Sequence, residues 1–251
     1  MRAEDLHYKE LLELDPETGV IRFAGQRALL LDAMAMGILR QFIVENFGLS
    51  AARAILTQFG FAQGWRMATT MQTEFKWPNR EEWQRAGNRL CFLEGLFSSQ
   101  PGSEDPLAKD GMTLLASYEA EQHTLFFGHA NSPVCWTICG LLSGYASYAT
   151  GKDIYVLEDC CLGQNHAACH LVGRTREEWG DEHAEELAFF KSGRLKECLS
   201  VSLSRVTDSL KAAEEKLKAH RRALVYVPQI KEVPPGIVAK SLKMQHLVGL
   251  A

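Results

Sequence analysis

The sequence predicts an α+β fold, and three observations carry that reading. Apolar residues recur every three or four positions through the first third of the chain, short β-prone runs alternate with turn residues in the middle, and leucines fall seven apart in the tail. With 251 residues, 46% of them hydrophobic, the chain can bury a substantial core in one or two domains. A net charge of -4 gives it no global basic field, which argues against direct nucleic-acid contact by this chain. The first residues are too polar for a secretory signal and no apolar run reaches membrane-spanning length, so a soluble cytoplasmic protein without membrane association is expected.

In chain order, residues 25–71 read as helical, on the spacing of Leu29, Leu30, Ala33, Met34, Gly37, Ile38, Phe42 and Ile43. Gly48 breaks this run. A second helix is expected from Ser50 to Phe59, and a third after Gly60 through Trp65 and Met71. Residues 76–80 read as a turn, followed by a helix from Glu81 towards Leu90. A loop over 98–111 leads into expected strands at 112–119 and 124–128. A helix from Val134 to Thr150, closed by Gly151, precedes a strand at Ile154–Leu157, a loop at 158–168 and a return strand at His170–Val172. Leu203, Leu210, Leu217 and Leu224, with Val206, Ala213 and His220 three residues after the first three, form a short coiled-coil seam, which suggests a homodimer; a helix docked on its own core fits the same spacing. The basic residues around this seam are interspersed with Glu214 and Glu215, as on a solvated face. Val233-Pro234-Pro235-Gly236 reads as a linker.

The chemistry concentrates between Cys135 and Cys169, where five of seven cysteines fall within 35 residues. Without a signal peptide, such a cluster reads as metal-binding or reactive thiols before it reads as a disulfide framework. Cys161 and Cys169 bracket one loop, Glu158 ends the preceding strand, and Cys135 near a helix start could close a four-ligand shell. Three thiolates and a carboxylate suit zinc in a closed, structural site. No CxxC pair fixes the assignment, Cys160, His166 and His170 compete as ligands, and buried thiols without metal fit the same cluster. Cys160 or Cys139 beside His166 or His170 would supply a thiol and a base, yet no nucleophile or oxyanion motif accompanies them, so an enzyme is not expected. A zinc-stabilised dimerisation scaffold that takes no ligand is a further alternative.

The run from Pro133 to Gly180, PVCWTICGLLSGYASYATGKDIYVLEDCCLGQNHAACHLVGRTREEWG, resembles the vinyl-reductase-type module in the sensors of XylR/DmpR-type sigma-54-dependent activators. Gly25-Gln26-Arg27-Ala28-Leu29-Leu30, Gly60-Phe61-Ala62-Gln63-Gly64 and Leu93-Glu94-Gly95 extend the resemblance over residues 20–250. It implies an N-terminal helical dimerisation region over 1–75, an effector-binding domain with a zinc hairpin over 76–195, a coiled-coil linker over 196–235, and the start of a truncated ATPase domain over 236–251. It implies zinc on Cys135, Glu158, Cys161 and Cys169, with Cys160 a bystander. The partners implied are a small aromatic effector, a second copy of the chain, and a downstream ATPase domain that effector binding releases from restraint. Phenol-sensing members use a His and a Trp to hold the hydroxyl. Counting from the landmarks places Cys91 and Leu114 there, and Met112, Tyr145 and Val156 at other effector-lining places; core packing would account for these side chains equally well.

Overall fold

The computed structural model describes residues 2–225 and Lys243, and side chains at 202–206, 210 and 221–225 are outside the description. The chain divides into two compact units, residues 1–202 and 203–251. The first is a mixed α/β unit with two sheets, built mainly of helices.

Its N-terminal part departs from the helical expectation. After a short helix α1 (Tyr8–Leu11), β1 (Leu12–Asp15), β2 (Val20–Phe23) and β3 (Gln26–Ala28) form an antiparallel sheet in the order β1-β2-β3. The first hairpin turn is organised by Asp15, whose carboxylate accepts from Glu17 N, Thr18 N and Thr18 Oγ1. Ala24 (φ 48°) and Gly25 (φ 74°) make the second turn in the left-handed conformation that a tight hairpin demands. Residues 25–32 are therefore not helical. Helix α2 (Ala33–Phe47) begins only where the Asp32 side chain accepts from Ala35 N at 2.7 Å.

Gly48 (φ 81°) turns the chain into α3 (Leu49–Glu74), one unbroken helix where the sequence suggested two. Gly60 and Gly64 do not interrupt it because they serve a tertiary contact. A methyl group on Gly60 would land on the Thr137 carbonyl oxygen and one on Gly64 on that of Leu141. In return, Gly140 and Gly144 lie against the Thr57 and Phe61 carbonyl oxygens. The backbones of α3 and α6 (Trp136–Thr150) thus touch directly, and the glycine penalty in helix propensity is outweighed by that approach.

Helix α4 (Arg80–Leu93) is capped by Asn79, which accepts from Glu82 N at 2.9 Å. The second sheet has the order β4-β5-β7-β6, from β4 (Phe97–Ser99), β5 (Met112–Ser117), β6 (Ile154–Cys160) and β7 (Cys169–Thr175), all paired antiparallel. Between β5 and α6 lies α5 (Tyr118–Phe127), not the strand expected at 124–128. Ser117 caps it by accepting from Ala120 N, so Leu125, Phe126 and Phe127 continue a helix already begun. Short helices α7 (Arg176–Trp179) and α8 (Ala184–Ala188) lead into α9 (Ser192–Val225). This last helix carries the leucine heptads, of which Leu217 is exposed. The side chains of Leu203, Val206, Leu210 and Leu224 lie outside the described residues, as do Val233 to Gly236 and Met244 to Ala251. No helix among the described residues is long and apolar enough to cross a membrane.

Candidate metal centre and buried pocket

Four side chains from three places in the chain meet above the β6–β7 hairpin. Cys135 is the N-cap residue of α6, Glu158 lies in β6, Cys161 opens the hairpin turn and Cys169 begins β7. Their ligand atoms all lie within 4.8 Å of one another, an arrangement able to hold a metal ion.

A bulge in β6 selects the cysteine. Ladder pairing shifts register between Glu158 and Cys160. Side chains alternate along a strand, so without the shift Cys160 would share the face of Glu158. With it, Cys161 is fully buried, while Cys160 is half-buried, its thiol facing the Ala168 carbonyl. Glu158 sits inside the strand, not in the loop expected to start there.

The sulfur atoms of Cys135, Cys161 and Cys169 form a triangle with all three edges 3.8 Å. A tetrahedral ion with zinc–sulfur bonds of about 2.3 Å spaces its sulfurs ~3.8 Å apart. Glu158 Oε2 accepts from Cys135 N at 3.0 Å, whereas Glu158 Oε1 is buried without a hydrogen-bond partner, as a carboxylate oxygen reserved for a ligand would be. Leu162 N and Gly163 N point at the Cys169 and Cys161 sulfurs, each at 3.3 Å, and favour thiolates. Burial, reinforced by the neighbouring Cys161, pushes the Glu158 carboxyl up to about 8 when no cation is counted. An ion would reverse that preference.

Next to Cys135 lies a buried ionic network that the sequence reading did not single out. Arg40 of α2 donates to Glu119 Oε1 at 2.6 Å and to the Val134 carbonyl at 2.9 Å, and its guanidinium stacks 4.1 Å over Trp136. Glu119 of α5 also accepts from Thr137 N, Thr137 Oγ1 and Ile138 N. Those amides open α6, so Glu119 caps the helix whose first residue follows a candidate ligand. The available signal was a lone arginine within the apolar α2 sequence AMAMGILRQFIVENF.

Between α4, α6 and the second sheet lies a single apolar core, and the five candidate effector residues all fall within it. Cys91, Met112, Leu114 and Val156 are 0% exposed. Leu114 pairs with Cys169 across β5 and β7, so this core adjoins the cysteine cluster. Tyr145 donates its hydroxyl to the Trp83 carbonyl at 2.7 Å, and burial, with Cys91 nearby, raises its pKa and keeps it neutral. Of the five, Tyr145 also lines a cavity of about 930 Å³ bounded by Gly87, Leu141, Ala146 and the loop around Glu104.

Comparison with known proteins adds to this geometry. The family described as "Activator of aromatic catabolism" matches residues 7–104. The transcriptional regulatory protein XylR of Pseudomonas putida is 31% identical over 179 residues, covering 69% of this chain and 31% of XylR. The phenol regulator MopR of Acinetobacter guillouiae is 29% identical over 184 residues, covering 71% of this chain and 32% of MopR. The chain thus spans about a third of these relatives' length. The phenol-responsive sensory domain of the transcription activator PoxR, solved with phenol, superposes with a TM-score of 0.63 at 29% identity, covering 75% of this chain and 95% of that one. The chain is similar to sensor domains of the XylR/DmpR type. Helix α6 links the two features in this chain, since Cys135 caps its start and Leu141, Tyr145 and Ala146 along it line the cavity.

Proposed function

We propose that this chain is the signal-sensing part of a bacterial sigma-54-dependent activator, binding a small aromatic effector in the core between α4, α6 and the second sheet. Binding relieves the restraint that the sensor places on a downstream ATPase domain. The observation that carries this reading is the enclosed set Cys91, Met112, Leu114, Tyr145 and Val156, in a sensor related to regulators named for aromatic catabolism. The chain itself is not a catalyst on this reading. An effector shifts the restrained state only by its difference in affinity between the two states.

Cys135, Glu158, Cys161 and Cys169 hold a structural zinc ion. The 3.8 Å sulfur triangle and the orphaned Glu158 Oε1 support that ion, and four protein ligands leave no open position for catalysis. Reduced thiols at Cys91, Cys139 and Cys160 fit the cytoplasm. The sensor works as a homodimer, a reading supported by the exposed apolar side chains Leu29, Leu30 and Leu31 ahead of α2 and Met34, Ile38 and Phe42 along it, with the heptads of α9 as a second candidate seam.

The pocket favours apolar aromatics over phenol. Cys91 is a weak donor, Leu114 offers none, and the Tyr145 hydroxyl is already committed to Trp83. A phenol hydroxyl buried without a partner costs about 1–3 kcal/mol. The test is a thermal-shift screen against toluene, ethylbenzene, biphenyl and phenol. A ligand bound only by the folded state at about 100 times its Kd adds ~2.7 kcal/mol and raises Tm. No shift with any ring would instead favour a ligand-free scaffold.

A further inference from the structure

The four fully buried pocket residues leave an effector no open path, so some side chain must move to admit one. Tyr145 is placed to be that side chain, because it belongs both to the buried core and to the wall of the cavity of about 930 Å³. Its ring rests directly on Gly87 of α4. A methyl group there would stand 2.7–2.8 Å from three ring carbons, so only glycine allows this seat. The hydroxyl is held by a single neutral hydrogen bond to the Trp83 carbonyl, one helical turn earlier on α4. A carbonyl has two lone pairs, so this latch can form and break while the helix keeps its own bond to the same oxygen. Across the cavity, the loop around Glu104 is tied down by Asn88 to the Glu104 carbonyl and by Gly173 N to the Pro106 carbonyl at 2.7 Å.

We propose that this cavity is the vestibule through which small apolar aromatics reach the buried pocket, and that Tyr145, seated on Gly87 and latched to the Trp83 carbonyl, is its gate. The inference rests on the aromatic-sensor reading above. A flat ring enters when Tyr145 leaves its seat, and the latch re-forms behind it. Gly87 thereby sets the width of the passage and, with it, the size of ring admitted.

The test is stopped-flow tryptophan fluorescence with toluene, on protein whose toluene binding is first measured by calorimetry. Tyr145→Phe keeps the ring and removes the latch, so association and dissociation rate constants should rise together, by about 2- to 10-fold, the size of one neutral hydrogen bond. Ala108→Phe crowds the vestibule outside the pocket without cutting either tie of the loop, so both rate constants should fall while Kd holds. Unchanged association in Tyr145→Phe, with only dissociation altered, would make Tyr145 a pocket wall and overturn the gate. Unchanged rates in Ala108→Phe would send the ligand by another route and overturn the vestibule. Absence of toluene binding to the unaltered protein in the calorimeter would instead fail the sensor reading, and the gate with it.

Discussion

Cys161 and Cys160 are neighbours in sequence with opposite prospects. If the cluster holds zinc, Cys161→Ser or Cys169→Ser removes a ligand and with it folding free energy, because such an ion binds the folded chain only. Both variants should show a large fall in Tm and lose the one equivalent of zinc that elemental analysis should find in the unaltered protein. Cys160→Ser, outside the triangle, should change Tm little. Metal-free protein with an unchanged melting curve would remove zinc from the account. The cysteines and Glu158 were legible as chemistry-bearing residues in one short stretch. Which cysteine of the adjacent pair faces inwards came only from the family resemblance, because the parity of β6 is set by a bulge that no residue type announces.

Arg40 and Glu119 define a second prediction at this scale. Their side chains are 4% and 2% exposed, and removing one partner leaves the other charge buried and unpaired. Arg40→Ala should therefore cost about 3–5 kcal/mol of stability in denaturant unfolding. Arg40→Met combined with Glu119→Gln should cost less than the two single variants summed. Additivity would mean that the pair does not act as a unit.

Among the elements, the contact between α3 and α6 shows where local reading stops. Propensity penalises Gly60 and Gly64, so the sequence suggests a break at Gly60, yet the reason for both glycines lies more than 70 residues away at the Thr137 and Leu141 carbonyls. Propensity alone says that Gly64→Ala stabilises α3 by about 1 kcal/mol. The backbone contact says that it destabilises the protein by ~1–3 kcal/mol or more, because two rigid helices must separate. The sign of the measured change decides between them. Helices α4 and α6 were read nearly to their ends because their caps are local: Asn79 at one start and Gly151, with φ 69°, at one end. The N-terminal sheet was missed for the opposite reason. Its strands have three or four residues, and Leu29 to Leu31 invite a helical reading that Ala24 and Gly25, in left-handed conformation, forbid.

For the whole molecule, a homodimer should appear by light scattering at about twice the 28.1 kDa chain mass. Charge substitution at Ile38 and Phe42, exposed on α2, should weaken it if that face is the main seam. A monomer at tens of micromolar would contradict the dimer. On the proposed sensor reading, effector choice joins the scales, since it would depend on Cys91 and Leu114, on the elements that bury them, and on the sensor as a binding unit. Cys91→His together with Leu114→Trp should restore a hydroxyl-binding pair and move selectivity towards phenol, as read by the ratio of Kd values for phenol and toluene.

The most direct measurement is calorimetric titration of the unaltered sensor with toluene, ethylbenzene and phenol under one set of conditions. The account predicts saturable binding of the alkylbenzenes and phenol weaker by about 5- to 100-fold, the range set by one unpaired buried hydroxyl. Tight binding of phenol with weak binding of both alkylbenzenes would contradict it.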